Sequence, residues 1–265
     1  MIPVVLIHQG FDAYLNYSLE EARKRNRVVL ISDHRYNADT EYIDLKSCWG
    51  GCDDFQKSYT HLSTDSYDYG LFCFQRWLVL QNYMQQAGVP LVFYIDSDVM
   101  LYVNVNEEWP KYQQFDLTLA HRAAPVCSFF TKTGLDRFVT FFVATFRNQN
   151  GYDFEKIASH YHIRTKHGLG GGITDMAYFD FFHYHAHVGG GPGKVGEMMT
   201  IIDDATYDHC INLPGAYFEM DQGRKKIVMR DGMPYCFSTK LQRLVKFHAL
   251  HFQGKNKVHM GNYLS

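Results

Sequence analysis

The chain opens on short apolar runs that end in polar residues, separated by longer stretches in which apolar and charged positions recur with a helical period. Pro3–His8 is apolar through Ile7 and predicts a first strand closing in His8-Gln9-Gly10. From Asp12 to Asn26, Tyr14, Leu15, Leu19 and Ala22 share one helix face, with Glu20, Glu21, Arg23 and Lys24 on the other. Val28–Ile31 predicts a second strand ending in Ser32-Asp33. A β-α-β opening of this kind favours a parallel pair joined by a right-handed crossover. Residues 34–68 are polar and only weakly periodic. A long helix is predicted over Tyr69–Ala87, capped by Gly88 and stopped by Pro90. Further on, Asp116–Ala120 reads as a strand, Gly134–Arg147 as a helix and Gly168–Gly172 as a loop. A helix with Thr174 at its N-cap runs to His187 and is broken at Gly189–Gly193. Short strands at Lys226–Met229 and Tyr235–Phe237 flank a turn at Asp231-Gly232. The pattern predicts an α/β fold, a mostly parallel central sheet flanked by helices, in one continuous domain.

The most informative run is Val89–Asp98, in which a β-prone apolar stretch stops at Asp96-Ser97-Asp98. Continuous hydrophobic runs suit strands buried on both faces, and ligands of open α/β sheets bind beyond the carboxyl ends of strands. Two carboxylates there repel each other and lose hydration unless a cation lies between them. A hard divalent ion, Mn²⁺ or Mg²⁺, shared with substrate phosphates meets that need. The triplet alone carries little weight, because 20 Asp residues in this chain give about one or two Asp-x-Asp by chance. Its context separates it from a solvated turn: a strand-like run before it and the apolar Val99–Val103 after it.

Composition narrows the class. At 265 residues, 46% hydrophobic and 16% aromatic, the chain can bury a substantial core. A net charge of −2 without a basic stripe excludes a nucleic-acid binder. No window offers the run of about 20 apolar residues needed to cross a bilayer. The start, Met1-Ile2-Pro3-Val4, leads directly into a strand, so a cytoplasmic enzyme with six reduced Cys is expected, with peripheral contact to the inner face of a membrane left open. Cys48 and Cys52 could form half of a zinc site, but no second close pair accompanies them.

Near the end the chain reads Leu250-His251-Phe252-Gln253-Gly254-Lys255-Asn256-Lys257. A neutral imidazole can complete a carboxylate metal site, a Gly permits close backbone approach to a phosphate, and a Lys supplies a mobile cation. By itself this is as readily a surface turn.

With these segments together, the chain resembles the nucleotide-sugar glycosyltransferases of GT-A (Rossmann-like) fold. The resemblance rests on "IPVVLIHQG", "FYIDSD" and "LHFQGKNK", in order and across nearly the whole chain. The tail is particularly similar to the His-x-x-Gly-x-x-Lys signature of the glycogenin and lipooligosaccharide galactosyltransferase group. It departs from that group in having Val258-His259 where Pro-Trp follows. The resemblance implies a nucleotide-binding part over about 1–105 and an acceptor-binding part over about 106–265. It implies that Asp96, Asp98 and His251 ligate Mn²⁺ or Mg²⁺. His8, Gln9, Asp33, Arg76, Asp96, Ser97, Gly254 and Lys257 would hold the nucleotide diphosphate. The implied donor is a nucleotide-diphosphate sugar, UDP-linked, and the acceptor a glycan or glycolipid, as in polysaccharide biosynthesis.

Asp175 follows Gly170-Gly171-Gly172 at a predicted helix start, where a carboxylate is favoured by the helix dipole alone. The resemblance places it on the acceptor side. There it would be the catalytic base that takes the acceptor proton, or a positioning group if anomeric configuration is retained. Two other motifs are set aside. Gly189–Lys194 has the outline of a phosphate loop but carries Val188 and Val195 where Gly and Ser or Thr are required. The His183, His185 and His187 tract does not share one helix face. Two rival functions remain. A sugar nucleotidyltransferase normally has a basic, Gly-rich loop after strand one, and "HQGFDAYLNYS" has no basic residue; the other rival is an inactive carbohydrate-binding protein on the same fold.

Overall fold

The computed structural model describes the whole chain except residues 37, 38, 170, 189–192 and 216 and the side chains at 185–188. The first half contains β1 (Val4–His8), α1 (Leu15–Arg23), β2 (Val28–Ser32), β3 (Glu41–Asp44), α2 (Cys52–Gln56), α3 (Tyr67–Gln86), β4 (Leu91–Ile95), β5 (Val99–Leu101), α4 (Val105–Glu108), β6 (Leu117–Leu119) and β7 (Cys127–Thr131). The second contains α5 (Lys132–Arg147), α6 (Tyr152–Lys166), α7 (Asp175–Val188), β8 (Val195–Glu197), β9 (Ala205–Tyr207), β10 (Met220–Asp221), β11 (Arg224–Lys225), β12 (Val228–Arg230), β13 (Met233–Ser238) and β14 (Arg243–His251), followed by 3-10 turns over Gly254–Tyr263.

The fold is α/β with a mostly parallel central sheet, ordered β3-β2-β1-β4-β7-β6-β8. Every residue of β1 and β2 is buried, which accounts for their unbroken apolar runs. β1 pairs parallel with β2 and β4, β2 with β3, and β6 with β8, whereas β7 runs antiparallel to β4 and β6. One face of the sheet carries α3, α5 and α7, joined by an aromatic core in which Phe138 stacks on Phe179 at 3.7 Å between ring centroids. Trp77 of α3 meets Phe179 edge-on in the same layer. α3 begins at Ser66, whose hydroxyl accepts the Tyr69 N–H, and ends before Gly88, which takes the left-handed conformation (φ +63°).

A second sheet, β12-β13-β14-β5 with β9 also beside β14, positions the site. β5 starts directly after Asp98 and pairs antiparallel with β14, setting His251 opposite Val99. The first part of the tail motif is therefore a buried strand end, with Leu250, His251 and Phe252 buried, while Gln253–Lys255 is exposed and leads into the 3-10 turns. Its alternation is weak because β14 is covered on both faces over its second half.

Several elements differ from their sequence readings. The first helix is shorter, Leu15–Arg23, because residues 12–14 form a turn closed by the Leu15 N–H on the Asp12 carbonyl. The weakly periodic 34–68 stretch holds edge strand β3 and helix α2, and α6, β7, β8, β9 and β14 carry no clear period signal. The last hairpin is displaced to Val228–Arg230 and Met233–Ser238, with Asp231 and Gly232 both at positive φ in the turn, as a two-residue hairpin requires. The helix after Thr174 begins at Asp175. Gly170 of the three-glycine run, and residues 189–192 of the helix-breaking run, lie outside the described residues.

Candidate functional site

The site grows from the turn Asp96-Ser97-Asp98 at the end of β4. The Val99 N–H closes the turn onto the Asp96 carbonyl, the Asp96 N–H binds the Val126 carbonyl, and the Phe252 N–H binds the Asp98 carbonyl. The backbone is thus held from both sheets, and the two carboxylates project into a shared crevice.

Asp98 is buried and meets two cations: His251 Nε2 lies 3.3 Å from Oδ1 and Lys257 Nζ 3.3 Å from Oδ2. Burial works against the Asp98 charge, but His251 and Lys257 outweigh it and hold its pKa below the ordinary carboxylate value. For His251, burial favours the neutral ring, yet the Asp98 carboxylate and its hydrogen bond raise the pKa from 6.5 to about 9. His251 Nδ1 lies 2.6 Å from the His209 carbonyl. A carbonyl only accepts, so Nδ1 carries the proton and Nε2 faces the carboxylates.

Asp96 is engaged from the other side. Arg76 Nη1 and the Tyr94 hydroxyl donate to its Oδ1 at 2.7 and 2.6 Å. Arg76 Nη2 donates to Asp175 Oδ2 at 2.6 Å, and the Trp77 indole N–H reaches the same oxygen at 2.9 Å. Burial alone would lower the Arg76 pKa, but Asp175 and Asp96 raise it, so the guanidinium stays charged. Arg76 therefore bridges the strand end of β4 and the start of α7. It is not a solvated helix-face charge.

Two cavities meet at this turn. One of about 300 Å³ is lined by His8 and Gln9 at the end of β1, together with Tyr14, Arg76, Asp96, Ser97, Asp98 and Lys257. The other, about 970 Å³, extends past Asp96, Asp98, His251, Gly254 and Lys257 to Gly171–Ala177, His160, Arg164 and Asp180. His8 is buried, its Nε2 3.4 Å from Asp12, and burial lowers its pKa. Gly254 has positive φ (+61°) with open space around its Cα. Asp33 lines neither cavity: it accepts the Gly10 N–H at 2.9 Å and pairs with His34, fixing the loop after β1. Asp175 borders the larger cavity, but its side chain is only 2% exposed. Its Oδ2 is occupied by Arg76 and Trp77, and its Oδ1 by the Met176 N–H.

Asp96, Asp98 and His251 offer one ligand atom each, all within 4.8 Å of one another, and form the one such His, Cys and carboxylate group among the described residues. Two carboxylate oxygens and an imidazole nitrogen this close together suit a divalent cation. The six cysteines are all free and buried, and neither Cys48 nor Cys52 joins such a cluster. Among the described residues, no helix is long and apolar enough to cross a membrane.

Sequence reasoning missed Tyr14, Tyr94 and Trp77 as site partners. Each sits in an apolar pattern that reads as core, and the polar atom at the ring's end gives no periodic signal. Tyr14 accepts from Lys257 Nζ at 3.2 Å, and its ring lies 4.6 Å beneath that ammonium.

No protein-family model matches the sequence, and no curated protein is similar to it. Among solved structures, the chain is similar to the apo form of mouse xyloside xylosyltransferase 1, at 8% identity and TM-score 0.48 over 77% of this chain and 87% of that one. It is also similar to the galactosyltransferase LgtC in complex with donor and acceptor sugar analogs, at 12% identity and TM-score 0.48 over 100% and 96%. A third is a glycosyltransferase involved in glycosylation of the major capsid of PBCV-1, at 11% identity and TM-score 0.42 over 98% and 100%. All three of these structures are glycosyltransferases, at a level of likeness that assigns neither donor nor acceptor.

Proposed function

We propose that the protein is a divalent-metal-dependent glycosyltransferase that moves a sugar from a nucleotide-diphosphate donor, UDP-linked, to a hydroxyl of a glycan or glycolipid. One observation carries this reading: the Asp96, Asp98 and His251 donor group lies where a smaller cavity opens into a larger one, with Arg76 and Lys257 on either side. A divalent cation held by this group, with Arg76 and Lys257 beside it, would supply the positive charge that a diphosphate leaving group needs.

In this reading His8, Gln9 and Ser97 line the nucleotide cavity, and Asp33 shapes its rim through the Gly10 N–H. Gly254 lets the backbone approach the diphosphate, and Lys257, held by Tyr14 and Asp98, contributes a positive charge to it. A bound divalent ion would neutralise charge that accumulates on the departing nucleoside diphosphate. The bond between the anomeric carbon and the diphosphate oxygen breaks, the acceptor oxygen bonds to that carbon, and the acceptor proton passes to the departing diphosphate oxygen. Both Asp175 oxygens already accept hydrogen bonds, Oδ2 from Arg76 and Trp77 and Oδ1 from the Met176 N–H. We assign it a positioning role, holding Arg76 against the donor sugar.

The test is a panel of nucleotide sugars scored for Mn²⁺-dependent release of nucleotide, with UDP binding followed by calorimetry. Release that disappears in EDTA and in a folded Asp98→Asn variant supports the reading. UDP affinity undiminished in EDTA overturns it.

A further inference from the structure

Next to His251, and lining neither cavity itself, is a buried ion pair that the chemistry above does not use. Lys225 and Asp208 are 3% and 1% exposed, with Nζ 2.8 Å from Oδ1. The same ammonium donates to the carbonyls of Cys210 at 2.6 Å and Leu213 at 2.5 Å, so all three of its N–H groups are engaged. The other oxygen of Asp208 accepts the backbone N–H of His251 at 3.3 Å.

Taking both charges out of water is costly, and an apolar pair of similar volume commonly stabilises a fold as well or better. Stability alone therefore does not account for a Lys here. What an ammonium does, and an apolar side chain cannot, is gather three acceptors from one segment. It folds 208–213 around itself after β9, and this is the segment whose His209 carbonyl meets His251 Nδ1. The Ile211 N–H also binds the His251 carbonyl, so the segment grips that residue through backbone and ring together.

We infer that Lys225 and Asp208 are positioning residues for His251: by fixing the 208–213 segment they fix the ring's tautomer and aim Nε2 at the point shared with Asp96 and Asp98. This rests on the metal-binding reading above. Groups that orient a metal-ligating His through its other nitrogen typically change metal affinity by about 10–100-fold when removed.

The experiment titrates the intact protein with Mn²⁺ alone, following free Mn²⁺ by EPR and the ¹⁴N coupling of a bound imidazole by pulsed EPR. Asp208→Asn/Lys225→Met removes both charges together, and Asp208→Asn alone is a milder, isosteric change. Circular dichroism verifies folding. Phe138→Leu, in the aromatic core on the far face of the sheet, controls for general destabilisation. The expected result is Mn²⁺ affinity about 10–100-fold weaker in the double variant, with the ¹⁴N coupling reduced, a smaller loss for Asp208→Asn, and no change for Phe138→Leu. Wild-type affinity and coupling in either folded Asp208 variant overturn the inference while leaving the metal site standing. No Mn²⁺ uptake by the wild type overturns the metal-binding reading itself, and this inference with it.

Discussion

Raising the pH of the metal-free protein should remove a defined part of its stability through one buried pair. In the fold, His251 has its pKa raised from 6.5 to about 9, because the pull of Asp98 exceeds the opposing effect of burial. A tenfold change in proton affinity corresponds to about 1.36 kcal/mol, so the charged pair contributes about 3 kcal/mol. The depressed pKa of Asp98 contains this same interaction together with that of Lys257, so its His251 part is not counted a second time. A raised His pKa stabilises fully below the unfolded value, near pH 6.5, and its contribution is lost as pH rises through about 9. Other groups titrate across that window, so the quantity to measure is the difference between wild type and His251→Gln in urea unfolding with EDTA. That difference should be about 3 kcal/mol larger at about pH 6 than at about pH 10. A difference that stays constant, or grows toward alkaline pH, refutes the assignment of a charged His251–Asp98 pair.

Three further outcomes are expected. Because a ligating ring must lose its second proton, Mn²⁺ affinity should strengthen by up to about tenfold for each step of one in pH between roughly pH 7 and 9 and level off above; calorimetry in buffers of different ionisation enthalpy would count the released proton. Asp175→Asn should lower turnover by about 10²-fold through misplacement of Arg76, with UDP affinity almost unchanged; unaltered turnover would leave Asp175 as a helix-start acid only. Gly134→Ala should cost about 1–3 kcal/mol in thermal or urea unfolding, because a Cβ there would stand 2.3 Å from the Asp116 carbonyl oxygen, which is backbone and has little room to move.

The strand ends of the site were legible where burial on both faces imposes a continuous apolar run. β1, β2 and β4 are such runs, so the positions of His8, Asp33 and Asp96 at strand ends follow from pattern alone. The long helix α3, which carries Arg76, was legible from its length and from the stop signals Gly88 and Pro90, whereas its Ser66 N-cap was not read. By contrast, β6, β8 and β9 have three residues each, too few for a period of two to register. β14 mixes a half-exposed start with a fully buried end and fits neither template.

What the sequence determines by itself is local: which segments are apolar enough to be buried, where helices start and stop, and which residue types stand at those ends. A carboxylate pair after a strand is information of that kind. What the tertiary structure decides is which distant ends meet. Antiparallel pairing of β5 with β14 brings His251 and Lys257 to Asp98. The packing of α3 against the central sheet lets Arg76 join Asp96, just after β4, to Asp175 at the start of α7. The Lys225 ammonium draws together carbonyls that carry no side-chain signature at all. Such contacts are set by strand pairing and by the need to satisfy buried charge. Both are satisfied across the fold, by partners whose spacing along the chain is unconstrained.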